Sequence, residues 1–189
     1  SFTWAKWITP SRNLLAAFDK AGDTKRKEQT VVYYECGWSN YYPNDNYPFM
    51  YKVRSGYSNV FFLRYDDLLL LKAEALINGK DVDLAGAADI IDRIRTRAGV
   101  AKLTNAEKSN KESLFNAYVN ERRLELACEG ERWFDLVRLD LVESVMAAAQ
   151  KNDSGRLPIV VPYTRNSYLL PIPQDVLDTN PNVVQNPGY

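Results

Sequence analysis

A chain of 189 residues with 24 basic and 24 acidic side chains has no net formal charge and no cationic stripe of the kind that grips phosphates, so nucleic acid is not an expected partner. Histidine is absent, which removes Ser-His-Asp triads, Cys-His dyads, His-rich zinc sites and Glu-x-x-His di-iron sites from this chain. The length suits one domain burying roughly 70% of its unfolded surface, and no apolar run approaches the roughly 20 residues that cross a bilayer.

Thr9-Pro10-Ser11 predicts the opening of a short helix through Leu14, Leu15 and Phe18, just after Trp4 and Trp7. Residues 1–63 otherwise read as an irregular, aromatic-rich segment, with brief strand-like runs at Thr30–Tyr34 and Val60–Leu63. Trp38, Tyr41, Tyr42, Tyr47, Tyr51 and Tyr57 are interleaved there with Ser39, Asn40, Asn44, Asp45 and Asn46. Flat rings offer an apolar face to the C–H side of a sugar, and short amides and carboxylates meet its hydroxyls. Trp38, Asn40, Tyr41, Tyr42 and Tyr47 are therefore the candidate ligand-binding residues. The competing reading is that the rings cover the helices and the Asn-Asp-Asn run only makes turns.

Residues 64–150 carry the helical periods. Arg64–Asn78 is apolar nearly all round and is expected to bury two faces, ending at Gly79 in a left-handed conformation. Asp83 caps the next helix, whose stripe of Leu84, Ala87, Ala88, Ile91, Ile94 and Ala98 stops at Gly99. Together they predict a helical hairpin of tetratricopeptide type, which needs neighbours to cover its faces. Asp89 and Asp92 are read as a solvated face, and Asp66 and Asp67 as complements of a helix dipole. Two further helices, about Lys111–Cys128 and Arg132–Ala149, are broken near Gly130.

Glu121, Glu125 and Glu129 recur every four residues in the run ERRLELACEGERWFDLVRLD, a row that in principle offers acid/base groups. Arg122, Arg123 and Arg132 interleave with them, which favours structural pairing over proton transfer. Arg122 falls on the apolar stripe with Phe115, Val119 and Leu126, so Arg122, Glu125 and Glu129 are expected to form a buried ion cluster. Cys36 and Cys128 have no CxxC spacing and read as two unlinked thiols. Scattered glycines and the carboxylate-poor Asn44-Asp45-Asn46 run predict neither a cofactor nor a metal site. After a loop at Lys151–Gly155, six prolines deny residues 151–189 any long helix, leaving an extended tail with one helical turn at Gln174–Leu177.

Four blocks in order carry a resemblance: FFLRYDDLLLLKAEAL, IIDRIRTRAG, ERRLELACEGERWFDLVRLD and YLLPIPQDVLDTNPNVVQNPGY. Over roughly Asp23 to Tyr189 the chain resembles the C-terminal half of the SusD/RagB family of outer-membrane nutrient-binding lipoproteins. The resemblance implies a mostly α, SusD-like fold of tetratricopeptide-like hairpins with long irregular segments, in which the Glu121 row is scaffold. It implies a region preceding Ser1 with a signal peptide and lipid-carrying cysteine, so residues 1–189 are expected to be a single C-terminal region lacking the N-terminal half. The implied function is non-catalytic capture of a glycan, or less often a peptide, at the cell surface and its delivery to a TonB-dependent (SusC-like) transporter. Membrane attachment would be only through the lipid anchor. The alternatives are a helical-repeat adaptor that grips a protein and, last, a glycosidase using the Glu121 row.

Overall fold

The computed structural model describes residues 8–52, 62–153 and 162–189, so the expectations for Trp4, Trp7, Tyr57 and most of the Val60–Leu63 run lie outside the described residues. Two compact units divide the chain, Ser1–Arg132 and Trp133–Tyr189. Among the described residues the structure is mostly helical, with one two-stranded sheet.

In the first unit, α1 (Arg12–Ala21) starts where Ser11 accepts a hydrogen bond from the Leu14 N–H at 3.2 Å. Asp23 caps α2 (Thr24–Thr30), a helix that no apolar period announces in the sequence TKRKEQT. The chain runs on directly into β1 (Val31–Tyr34), which pairs antiparallel with β2 (Tyr47–Met50) in a register from Val31↔Met50 to Tyr34↔Tyr47. Pro48 argues against a strand in the sequence, but a two-stranded pair leaves each strand only one ladder to satisfy. The Met50 N–H donates to Ile8 O at 2.8 Å, tying the segment before α1 to β2.

Helices α3 (Tyr65–Asn78), α4 (Leu84–Ala98) and α5 (Lys111–Glu125) pack around Leu70, Ile77, Ile91, Ile94, Leu114 and Tyr118. Burying each such Leu or Ile stabilises by about 1.5–3 kcal/mol. A partly exposed pair such as Lys27–Asp19 contributes at most about 1 kcal/mol, so apolar burial dominates the assembly. Asp83 accepts the Gly86 N–H at 2.8 Å, and Gly99, at φ +77°, ends α4 as the sequence predicts. Gly79 does not adopt the expected left-handed conformation: its φ is −73°, and glycine is needed because a Cβ would lie 2.4 Å from Ala75 O.

The expected burial of α3 and of α5 needs correction. Helix α3 buries one face and leaves Leu68, Leu71 and Ala75 exposed, continuous in sequence with exposed Phe62, Leu63 and Tyr65, because α4 and α5 cover only the Leu70, Ala73 and Ile77 side. In α5 the buried arc is wider than the predicted stripe. Leu114, Tyr118, Glu121, Leu124 and Glu125 join Arg122 inside, while Phe115 and Val119 are half-buried, because α5 packs on both α3 and α4. The helix also stops before Cys128, which sits at φ +64° beside Gly130 at φ +98°. Cys36 and Cys128 are both free thiols.

The expected helix from about Arg132 to Ala149 is two helices, α6 (Glu131–Arg138) and α7 (Val142–Asn152). Asp140 ends α6 in a left-handed conformation at φ +56°, with the Leu141 N–H donating to Leu136 O and the Asp140 N–H to Val137 O. Its carboxylate accepts from Tyr168 OH at 2.7 Å and Arg165 Nη2 at 2.5 Å, holding a short 3₁₀ turn, Arg165–Tyr168. Helix α8 (Gln174–Thr179) follows. The end of the tail is stitched by side-chain amides: Gln185 Oε1 accepts the Ile172 N–H at 2.8 Å, Gln185 Nε2 donates to Ile172 O at 3.0 Å, and Asn186 Nδ2 donates to Leu170 O at 2.6 Å. These bonds replace a strand ladder that the prolines forbid.

Candidate functional site

Residues 35–46 join β1 to β2, and the Cys36 N–H, donating to Asn44 O at 2.8 Å, closes that loop around a 3₁₀ turn at Asn44–Asn46. The rings inside it pack in series. Tyr41 meets Tyr42 edge-on at 4.6 Å, Tyr42 meets Tyr47 edge-on at 5.5 Å, Tyr47 lies 5.1 Å from Phe49, and Phe49 lies 5.8 Å from Trp38. Tilted and edge-on contacts of this kind let each ring present its positive edge to a negative face. The hydroxyls are also engaged: Tyr47 OH donates to Ser39 Oγ at 2.8 Å, and Tyr42 OH donates to Pro10 O at 2.9 Å.

Arg12 locks this cluster to α1. Its guanidinium donates to Tyr41 O and lies 4.5 Å from the Tyr41 ring centroid and 5.5 Å from that of Tyr42. The five candidate residues thus separate by role. Tyr47, only 3% exposed, is committed to the interior by ring and hydroxyl alike, and its assignment as a ligand contact is corrected to a support. Tyr41 and Tyr42 are half-buried, while Asn40 is exposed and Trp38 is 65% exposed. Trp38 therefore has a ring braced by Phe49 in a residue that is mostly open to solvent. Tyr33 and Tyr34 on β1 are further exposed rings, signalled in sequence only by their place in a predicted strand.

The Glu121 row is engaged by arginines that arrive from elsewhere in the chain. Arg26 Nη1 donates to Glu121 Oε1 at 2.7 Å and to Glu125 Oε2 at 2.8 Å, and Arg95 Nη1 lies 3.2 Å from Glu121 Oε2. Arg64 holds Glu125 at 2.6 Å and Glu129 at 2.7 Å; Arg97 adds a bond to Glu125 at 2.7 Å and Lys52 one to Glu129 at 2.5 Å. The expected cluster of Arg122 with Glu125 and Glu129 is corrected accordingly. Arg122 donates to buried Asp67 of α3 and lies 4.0 Å from Glu131, because its side of α5 faces α3. Asp67 is thus a buried partner rather than a dipole complement. Asp92 is buried too, accepting the Leu103 N–H at 2.7 Å and Lys108 Nζ at 2.6 Å, while Asp89 is exposed as expected.

These surroundings set the charges. Burial pushes the Glu125 carboxyl up, but hydrogen bonds and charge from Arg26, Arg64 and Arg97 more than offset it and hold it down at about 2. Burial pushes Glu121 above the ordinary carboxylate range against the pull of Arg26 and Arg95. Arg123 forms no ion pair among the described residues, and burial, followed by the charge of Arg132, pushes it down to about 10. Paired acid/base work needs both carboxylates to reach one substrate. Glu121, at 0% exposure, does not reach solvent, and Glu125 is saturated with arginine. Among the described residues no group of three or more Cys, Asp or Glu side chains is placed to hold a metal ion, and no helix is long and apolar enough to cross a membrane.

A family model described as the SusD family matches residues 42–189. The SusD-like protein P2 of Formosa agariphila is 33% identical over 142 residues, a region that is 72% of this chain and 27% of that protein. A crystal structure of a SusD superfamily protein from Bacteroides vulgatus superposes with a TM-score of 0.73 at 24% identity, covering 96% of this chain and 44% of that one. A laminarin-binding SusD-like protein superposes with a TM-score of 0.59 at 27% identity, covering 96% of this chain and 40% of that one. The chain therefore spans about a quarter of that curated relative and less than half of either solved structure.

Proposed function

Because the chain belongs to the SusD family, we propose that it forms part of a non-catalytic surface protein that captures a glycan, polysaccharide or oligosaccharide, and delivers it to a TonB-dependent, SusC-like transporter. The observation that carries this reading is Trp38, which is 65% exposed yet has its ring braced on Phe49 and, through it, on the series Tyr47, Tyr42 and Tyr41. A ring presented rigidly loses little conformational freedom on binding. Asn40 and the Asn44–Asn46 turn supply exposed amides in the same loop. A relative that binds laminarin supports a sugar as the ligand class, and the arginine-saturated Glu125 with inaccessible Glu121 supports binding without turnover. The whole protein would sit at the outer-membrane surface, held by a lipid anchor.

The test is calorimetry of the protein with laminarin and a panel of other glycans, run beside an assay for new reducing ends. Binding without product formation is the expected result. Turnover that disappears in Glu125→Gln would replace this reading with a glycosidase. The adaptor alternative is favoured by one observation, the exposed apolar run of Phe62, Leu63, Leu68 and Leu71, and predicts capture of a protein partner with no glycan affinity.

A further inference from the structure

We propose that a cleft beside α2, within the unit Ser1–Arg132, is a subsite for an oxyanion, a sulfate or carboxylate group. The cleft encloses about 380 Å³. Helix α2 lines it with two pairs, Lys25 with Gln29 and Arg26 with Thr30, and residues four apart share a helix face. Lys52, Arg64 and Arg97 also line it, so five cations stand against two carboxylates, Glu125 and Glu129. Both carboxylates are already engaged, Glu125 by Arg26, Arg64 and Arg97 and Glu129 by Arg64 and Lys52. Asp23, Asp66 and Glu121 complete the pairing of the arginines. Lys25 forms no ion pair among the described residues and is left uncompensated.

An independent observation points to a ligand. Arg26 Nη2 and Thr30 Oγ1 are buried without a hydrogen-bond partner among the described residues, and Thr30 is 1% exposed. Arg26 spends Nε on Asp23 and Nη1 on Glu121 and Glu125, so Nη2 is the one guanidinium nitrogen still unmatched. Unmatched buried donors are rare because each gives up its hydration for nothing. A guanidinium N–H, a hydroxyl and an ammonium group share one strong acceptor, the oxygens of an anion. Lys25 and Gln29, which line the cleft on the same helix, are exposed and so have room to move aside for it.

Calorimetry of the intact protein with sodium sulfate, glucose 6-sulfate, glucuronate and glucose, at constant ionic strength, tests this. An anion should bind and glucose should not bind here. Thr30→Val keeps the side-chain shape and removes only the unmatched hydroxyl, so it should weaken anion binding at least tenfold without lowering the melting temperature, and Lys25→Gln should do the same. Glucose 6-sulfate or glucuronate binding more tightly than sulfate assigns the group to an acidic saccharide; sulfate alone assigns a free ion. Trp38→Ala should leave anion binding unchanged, which separates this subsite from the glycan platform. No binding of any anion, or equal affinity in both α2 variants, overturns the proposal.

Discussion

Arg26 Nη1 lies 2.7 Å from Glu121 Oε1, joining α2 to α5 across 95 residues of sequence. Glu121 has no access to water and Arg26 very little, so each is left short of a partner for its charge if the other is removed. Arg26→Ala is expected to lower stability by about 3–5 kcal/mol, the cost of stranding a buried charge. Chemical denaturation measures it, and adding Glu121→Gln to the same protein should recover part of the loss, giving the coupling through a double-mutant cycle. An unchanged denaturation midpoint in Arg26→Ala would show that the pair contributes nothing.

Arg122 and Asp67 make the equivalent contact between α5 and α3. Arg122→Ala is expected to cost about 3–5 kcal/mol, while Lys111→Ala, at an exposed position on the same helix, stays within about 0.5 kcal/mol. Glycan affinity of the folded protein should not change. A variant with normal melting but no binding would place Arg122 at the ligand.

Glu125 titrates at about 2 in the fold against 4.5 for an ordinary glutamate, so its ionised form favours folding. By linkage this amounts to about 3 kcal/mol, present in full above about pH 4.5 and lost as the pH falls towards 2. Glu121 is shifted the other way, so its protonation favours the fold as the pH falls through its raised value towards 4.5, above the range in which Glu125 loses its contribution. Glu125→Gln should therefore be less stable than wild type at pH 7 and lose less stability between pH 4.5 and 2. Equal pH slopes for the two proteins would contradict the assignment.

Among the rings, Trp38→Ala is expected to weaken glycan binding by roughly 1–3 kcal/mol, by analogy with aromatic stacking on bases, and to leave the melting temperature nearly unchanged. Tyr47→Ala opens the interior of the same loop and should instead lower stability, by about 3–5 kcal/mol as for other large buried rings. Calorimetry and thermal melting on both variants separate platform from support. Unaltered affinity in Trp38→Ala would move the site away from this loop.

The family and the hairpin of α3 and α4 are legible in the residues alone, whereas α2 and the break between α6 and α7 are not. Ser11, Asp83 and Gly99 mark helix ends because a cap bonds residues within about four of one another, so the information is local. The hairpin stripe of Ala87, Ile91 and Ile94 is likewise visible from a 3.6-residue period. The period says which residues share a face, but not which faces meet. Only the tertiary structure decided that Glu121 and Glu125 meet Arg26 rather than Arg122, that Asp67 is buried and Asp89 is not, and that Asp140 breaks a helix whose apolar pattern continues. The same holds for the rings. Trp38 and Tyr47 have similar neighbours in sequence, yet one is open and the other enclosed, because exposure depends on where β2 and Arg12 lay the loop down. Contacts between charges and between rings act over a few ångströms, and those distances are set by how the helices and strands approach, a quantity that no local pattern encodes.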